Sequence, residues 1–255
     1  MAAAVKLQRH AGRRRSGRFL AEGPNLVESA AHHGLVDEVF ATTDAAQRHS
    51  RLLTDLPVRI VTESAAKVLS DTVTPAGLVA VCRVPEIDLA TVLADRPELL
   101  AVAVGISEPG NAGTLIRTAA AMGAAGVVLA GNSVDPFNAK CLRASAGAIF
   151  AVPVLAEPDT ASLLTRLREA GLVILATTVD GEVSLDDTGA LLRARNAWIF
   201  GSESKGLDTD VAALADHRIA IPMAAGTESL NVAAAAAVCL YQSALALRIR
   251  RARIG

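Results

Sequence analysis

Five nearly continuous apolar runs, separated by helical patterns, most restrict how this 255-residue chain can fold. They are residues 99–106 (LLAVAVGI), 126–130 (GVVLA), 172–179 (LVILATTV), 197–201 (AWIFG) and 218–223 (RIAIPM). A strand that is buried on both faces gives an unbroken apolar run, whereas a strand with one wet face alternates. Residues 99–255 are therefore predicted to form an α/β domain whose parallel sheet is covered by helices on both faces.

A smaller α/β block precedes this domain. Within residues 1–84, short strand patterns such as 36–41 (VDEVFA) and 77–84 (GLVAVCRV) alternate with helical ones. This alternation predicts a separate small domain. Residues 85–98 contain two prolines and four acidic residues around a short helical pattern, and they are interpreted as the linker.

Composition excludes several other classes. Hydrophobic residues make up 51% and charged residues 20%, which is enough for a packed core. The three cysteines, Cys82, Cys141 and Cys239, are far apart and form no CxxC pair, so neither a disulfide framework nor a metal site is expected and a reducing cytoplasm is favoured. The alanine-rich stretch 230–247 is interrupted by polar residues, which favours a buried helix over a membrane span. No secretory signal is recognised.

Basic residues crowd the amino terminus. No acidic residue precedes Glu22, whereas that stretch holds Lys6, Arg9, Arg13, Arg14, Arg15 and Arg18. A basic arm on a body with a formal net charge of −1 is typical of phosphate contact with a nucleic acid. The alternative is a solvated tail that aids solubility.

Three polar loops follow three of the apolar runs. They contain Asn111 and Arg117, then Glu203 in GSESKGL, then Ser229 and Asn231 in TESLN. Ligands of parallel sheets bind beyond the carboxyl ends of the strands, so these loops predict one shared site. The alternatives are helix caps, a surface arginine and an ordinary glycine turn. Neither GxxxxGK[ST] nor GxGxxG is present, so a phosphate-rich cofactor is not indicated.

These blocks resemble a known family. The order NxGxxxRTA, FGSExxGL, IPM…ESLNVAxAxAVxLY over residues 99–248 closely resembles the SpoU/TrmH family of RNA ribose methyltransferases, in the SPOUT superfamily. Residues 135–150 (DPFNAKCLRASAGAIF) and the pattern RxxGRFLAEGPNLVESA at 14–30 also fit that family. Within it, the blocks look most like the actinobacterial ribosomal RNA enzymes that include the thiostrepton-resistance methyltransferases.

The resemblance implies a fold and a reaction. The carboxyl-terminal domain would contain a deep trefoil knot, and the amino-terminal domain would be a ribosomal-protein-like module that binds RNA. The enzyme would be a homodimer in which the partner subunit completes the active site. It would transfer the methyl group of S-adenosyl-L-methionine to a ribose 2′-hydroxyl, with large-subunit ribosomal RNA as the expected substrate. Transfer RNA, a base instead of a ribose, and a non-catalytic RNA-binding or assembly role are the alternatives.

The resemblance also implies roles for individual residues. The catalytic candidates are Asn111, Arg117, Glu203, Ser229 and Asn231. The cofactor candidates are Thr177, Thr178, Val179, Phe200, Gly201, Ile221, Met223 and Leu230. The RNA-binding candidates are Arg9, Arg13, Arg14, Arg15, Arg18, Lys140 and Arg143. Because arginine stays protonated in proteins, Arg117 is expected to stabilise the developing alkoxide and not to act as a literal base. Glu203 is the second candidate base.

Overall fold

The computed structural model describes residues 1–254, which form two sheets. The strands of the first are β1 (Arg18–Glu22), β2 (Val36–Ala41), β3 (Val58–Ile60) and β4 (Leu78–Arg83), in the order β1-β4-β2-β3. The helices around it are α1 (Ala2–Val5), α2 (His10–Ser16), α3 (Pro24–His32), α4 (Thr43–Arg48) and α5 (Glu63–Leu69). A 3₁₀ turn at Lys6–Gln8 joins α1 to α2, so the basic amino terminus is a helical hairpin and not an extended tail.

The second sheet confirms the predicted parallel α/β architecture. Its seven strands are β5 (Leu99–Val104), β6 (Val127–Ala130), β7 (Val154–Glu157), β8 (Val173–Thr177), β9 (Val183–Ser184), β10 (Asn196–Phe200) and β11 (His217–Ala220). They are all parallel, in the order β7-β6-β5-β10-β8-β11-β9. The helices are α6 (Leu89–Ala94), α7 (Pro109–Ala121), α8 (Ala139–Ser145), α9 (Ala148–Ala151), α10 (Thr160–Glu169), α11 (Thr209–Ala212) and α12 (Val232–Ile254).

The central strand β5 explains why its sequence shows no alternation. Side chains of successive strand residues point to opposite faces. Leu99 and Ala101 pack on one side in the same cluster as Leu115 of α7, whereas Leu100 packs on the other side with Leu164 of α10. Both faces are therefore dry, and both must be apolar.

Several local boundaries differ from the sequence predictions. The pair Asp135-Pro136 predicts the start of a helix, but α8 begins at Ala139. Asp135 forms a turn instead, and the Asn138 side chain caps α8 by accepting from the Cys141 N–H at 3.0 Å. Strands β7 and β9 were not predicted. Residues 85–98, interpreted as a linker, contain helix α6, whose Leu89 and Val92 are buried against the second sheet.

The two domains share one apolar core. Phe19 of β1 is fully buried and lies 4.9 Å from Phe137 and 5.9 Å from Phe150, measured between ring centroids. Val27 of α3 and Cys141 of α8 belong to the same cluster. We call this contact the domain seam. It holds the first domain against the helices that follow β6.

Helix α12 is a core helix. Among the described residues it is the one helix long and apolar enough to cross a membrane, but Ala236, Cys239, Leu240 and Leu247 are buried inside the protein. Its Ser243 hydroxyl accepts from Trp198 Nε1 at 2.8 Å and donates to Asn196 Oδ1 at 3.0 Å, which ties the helix to β10. The trefoil knot stays a prediction.

Candidate active site

A cavity of about 540 Å³ opens at the carboxyl ends of β8, β10 and β11. It lies where the sequence predicted the shared site. Seven of the eight cofactor candidates line it: Thr177, Thr178, Val179, Gly201, Ile221, Met223 and Leu230. Phe200 does not line it; this side chain is fully buried in β10, next to Gly201. The volume lies within the range of about 300–1,000 Å³ that is usual for small-molecule sites.

The GSESKGL loop is folded back tightly beneath this cavity. Ser202 and Gly206 exchange two backbone hydrogen bonds, each 2.9 Å long. A Cβ atom on Gly201 would lie 2.1 Å from the carbonyl carbon of Gly206, so a larger residue would displace the loop backbone. Gly206 itself has φ +67°, which favours glycine. Close approach of two backbone segments is therefore the local reason for Gly201, and the left-handed backbone conformation is the reason for Gly206.

Three predicted catalytic residues meet at the rim of the cavity. The Asn111 side-chain amide donates to Glu203 Oε1 at 2.9 Å, and its oxygen accepts from the Asn231 amide at 3.0 Å. The Asn231 oxygen in turn accepts from the Ala233 N–H at 2.9 Å, at the start of α12. Asn231 thus caps the helix and also positions Asn111. Capping of α12 by Asn231 is confirmed, and its role in the site stays a prediction.

Glu203 is held as a carboxylate. Burial alone would raise its pKa, but hydrogen bonds from the Asn111 side chain and from backbone N–H groups, including those of Glu108 and Ser107, bring the pKa below its ordinary value. A carboxylate that accepts several hydrogen bonds is a weak proton acceptor. Its geometry is that of an anchor for Asn111 and for the loop after β5.

Sequence reasoning missed Glu108 as a member of this cluster. Its side chain caps α7 by accepting from the Gly110 N–H at 3.2 Å, and it accepts from Lys140 Nζ at 2.5 Å. The Lys140 hydrogen bond is the main cause that lowers the pKa of the Glu108 carboxyl. An acidic residue directly before Pro109 at a helix start was the available signal. Lys140, predicted to bind RNA, thus lies next to the catalytic candidates.

Arg117 and Ser229 are not joined to this cluster within one chain. Arg117 is exposed on α7, six residues after Asn111 and hence on another face of the helix. Among residues 1–254 the Arg117 side chain forms no hydrogen bond or ion pair, and it does not line the cavity. Ser229 is exposed and lines the cavity, without capping α12.

The predicted RNA-binding arginines fall into two groups. Arg9, Arg14 and Arg15 are exposed on the α1–α2 hairpin. Arg13 is buried, contrary to expectation, in an ion pair with Asp135 of the second domain. Arg18 pairs with Asp37, and Arg143 lies 3.5 Å from Asp71 and 4.0 Å from Glu22 across the two domains. These three side chains are engaged within the protein.

Comparison with known proteins agrees with this organisation. The profile of the SpoU rRNA methylase family matches residues 98–241, and that of the MRM3-like substrate binding domain matches residues 2–80.

Two curated relatives extend over nearly the whole chain. The 23S rRNA (guanosine(2553)-2'-O)-methyltransferase RlmP of Bacillus subtilis is 35% identical, over 92% of this chain and 92% of that protein. The 23S rRNA (uridine(2479)-2'-O)-methyltransferase of Streptomyces viridochromogenes is 28% identical, over 91% of this chain and 84% of that protein.

A solved structure is similar over both domains. The SpoU methyltransferase AviRb from Streptomyces viridochromogenes, in complex with the cofactor AdoMet, superposes with a TM-score of 0.85 at 28% identity, covering 98% of this chain and 96% of that one. Fold, site and sequence thus agree, and this chain belongs to the SpoU rRNA methylase family.

Proposed function

We propose that this protein is an S-adenosyl-L-methionine-dependent methyltransferase that methylates a ribose 2′-hydroxyl of large-subunit ribosomal RNA in the cytoplasm. The observation that carries the proposal is the hydrogen-bonded cluster of Asn111, Glu203 and Asn231 at the rim of the cavity. It supplies oriented polar groups at the entrance of a cavity that fits a small cofactor.

The residues of the cavity fit this cofactor. Ile221, Met223 and Leu230 provide apolar surface. The Thr178 hydroxyl is buried without a hydrogen-bond partner among the described residues, so it is free to bond a polar ligand group. Gly201 allows the loop that lines the cavity to fold back on itself, because a Cβ atom there would collide with the Gly206 backbone. When bound, S-adenosyl-L-methionine supplies the methyl group and a sulfonium leaving group. Alignment of the reacting groups and removal of the ribose proton depend on the protein and the RNA.

The protein must orient the ribose and favour loss of its proton. Asn111 is fixed on both sides, by Glu203 and Asn231, so its amide is preorganised to align the substrate. Arg117 stabilises the negative charge that develops on the 2′-oxygen. The lowered pKa of Glu203 favours the role of an anchor over that of a base. The hydroxyl proton is released to solvent water as the methyl group is transferred to the 2′-oxygen.

We assign Arg117 to the active site of a partner subunit in a homodimer. Arg117 lacks a partner among the described residues of its own chain and does not line its own cavity. Helix α12, which packs against α7, exposes Val238, Tyr241 and Ile249, with 39%, 49% and 44% of their surfaces accessible. An apolar stripe of this kind is suited to a second copy of the chain.

Ribosomal RNA is favoured over transfer RNA because the similarity to the two ribosomal RNA enzymes includes the amino-terminal domain. Those two relatives act on different nucleotides, a guanosine and a uridine, so the base is left open. The direct test is to map 2′-O-methylation in an unmodified large-subunit ribosomal RNA transcript after incubation with the protein. Methylation of transfer RNA alone, or of a base, would contradict the assignment.

Mixing two inactive variants tests the shared site. Arg117→Ala removes the charge, and Gly201→Val displaces the backbone of the loop that lines the cavity, so each is expected to abolish transfer alone. In a randomised equal mixture, half of the dimers are mixed and each has one intact site, so about a quarter of the wild-type activity should return. Cofactor affinity of Arg117→Ala should stay within about tenfold of the wild type. A mixture without activity, although mixed dimers form, would place Arg117 in its own subunit's site.

A further inference from the structure

The arginine run at 13–15 divides its side chains between two environments. Arg14 and Arg15 are exposed on α2, whereas the Arg13 side chain is only 8% exposed. Arg13 uses all three guanidinium nitrogens inside the protein. Nε and Nη2 lie 2.7 Å from Asp135 Oδ2, and Nη1 donates to the carbonyls of Leu7 and Gln8 at 2.9 and 3.0 Å. Four of the five guanidinium N–H groups are thus engaged inside the protein, and burial of the side chain keeps Arg13 away from a phosphate in solvent.

The hairpin that carries these arginines is itself compact. A Cβ atom on Gly12 would lie 1.9 Å from the Lys6 carbonyl oxygen, so α2 packs directly on the turn before it. Arg13 bonds the carbonyls of the same turn. A single side chain thus fixes the conformation of the hairpin and also attaches it to the other domain.

The partner residue, Asp135, organises the start of α8. Its carboxylate is 16% exposed, and the second oxygen accepts from the Phe137 N–H at 2.9 Å. The Asn138 amide donates to the Asp135 carbonyl, while the Asn138 oxygen caps α8. The ion pair therefore connects the α1–α2 hairpin to the turn that determines where α8 begins.

Helix α8 in turn contacts α7, the helix that carries the catalytic candidates Asn111 and Arg117. A Cβ atom on Gly113 of α7 would lie 2.5 Å from the Cys141 carbonyl oxygen, so the two helices are in backbone contact. Lys140 of α8 bonds Glu108, whose own N–H donates to Glu203 at 3.3 Å. Direct contacts thus run from Arg13, through α8, to Glu203 at the rim of the cavity.

From these contacts we infer that Arg13 and Asp135 form an interdomain latch, a positioning pair that fixes the exposed arginines of the α1–α2 hairpin relative to the active site. The inference rests on the proposed function and deepens it. Arg9, Arg14 and Arg15 hold the phosphate backbone of a folded RNA, and the latch determines which ribose then reaches Asn111. An RNA that binds both these arginines and the active site gains affinity from the second contact only while the distance between the two places is fixed.

The test compares Arg13→Met and Asp135→Asn with Arg14→Met, a neighbouring control that removes an exposed charge. The substrates are the unmodified large-subunit ribosomal RNA transcript and a short fragment around its methylated ribose, too short to reach α2. On the transcript, kcat/KM of both latch variants should fall by about tenfold to a hundredfold, as is usual for a small misplacement of a substrate. On the short fragment they should match the wild type, and cofactor affinity should not change.

Salt dependence separates the latch from a phosphate contact. Arg14→Met should lower the magnitude of the slope of log affinity against log salt by roughly 0.7–0.9. Arg13→Met should bind the transcript more weakly with an unchanged slope. A reduced slope for Arg13→Met would make Arg13 a phosphate ligand and overturn the inference. Equal losses on both substrates, or wild-type behaviour on both, would overturn it as well.

Two further controls keep the test decisive. If Arg13→Met does not fold, Arg13→Lys replaces it in the test. This variant keeps the charge but loses the fork-shaped contact with Asp135, so it should show the same losses on the transcript at smaller magnitude. If the wild type methylates no ribose, the proposed function fails, and transcript binding alone tests the latch. Weaker binding by Arg13→Met with the salt slope of the wild type supports the latch. Any other result refutes it.

Discussion

At the scale of single residues, three of the five side chains that the sequence placed in one site are hydrogen-bonded to one another, and the sequence did not show how they divide their roles. Asn111, Glu203 and Asn231 were expected in one site because each follows a parallel strand, and they are hydrogen-bonded to one another. Burial of Arg13 could not be read from a run of identical arginines. Its environment depends on Asp135, 122 residues away in the chain.

Asn111→Asp should disturb the site in a pH-dependent way. The change removes the amide that donates to Glu203 and places a like charge beside it, so the pKa of Glu203 should rise. In the wild type that pKa is lowered, so the contribution to stability is present at neutral pH and is lost as pH falls through the folded-state value. The variant should thus melt at a lower temperature than the wild type at about pH 7, and the difference should shrink towards about pH 4.

Thermal midpoints across this pH range measure the effect. Asn132→Asp, at an exposed position of the same domain, is the matched control and should follow the wild type. A difference that grows at acidic pH would refute the proposed state of Glu203.

At the scale of elements, long periodic segments were predicted well and short ones were not. The apolar runs of β5, β8 and β10 are strands in the structure because both faces of each are covered. The strands β7 (Val154–Glu157) and β9 (Val183–Ser184) have too few residues for a pattern to emerge. Helix α6 matches the short helical pattern of the segment interpreted as a linker, but its burial could not be predicted, since it depends on a sheet formed later in the chain.

Ser243→Ala should weaken the attachment of α12 to β10. The hydroxyl satisfies both the Trp198 indole N–H and the Asn196 oxygen in a fully buried place. Its removal leaves both groups unpaired and should cost about 1–3 kcal/mol of unfolding free energy. Urea unfolding followed by Trp198 fluorescence measures the loss. Gln242→Ala, at the exposed neighbouring position, should change stability by less than about 0.5 kcal/mol. Equal stability of the two variants would rule out a role for the network.

At the scale of the whole molecule, the division into two α/β blocks was expected, but their close attachment was not. A sequence shows that Phe19 is apolar without showing which surface covers it. In the structure this surface belongs to the second domain, through Phe137 and Phe150. The seam joins two cores into one, so we expect the domains to unfold together.

Phe19→Ala tests this coupling. The fully buried ring fills the seam, so its removal should cost about 3–5 kcal/mol. The single tryptophan, Trp198, lies in the other domain and reports on that domain alone. Nevertheless, the unfolding midpoint measured by Trp198 fluorescence should be lower in the variant than in the wild type. The midpoint measured by calorimetry should fall with it. Ile60→Ala, at a side chain that is 56% exposed, should leave both unchanged. If the unfolding midpoint measured by Trp198 fluorescence is the same in Phe19→Ala and in the wild type, the two domains unfold independently.

The seam also has a consequence for synthesis. Phe19 leaves the ribosome long before Phe137 and Phe150, the rings that cover it, have been translated. At about 5–20 residues per second, this delay is on the order of ten seconds. During that interval the apolar surface around Phe19 is not covered by the second domain, so we expect the nascent first domain to bind chaperones that recognise exposed apolar surface.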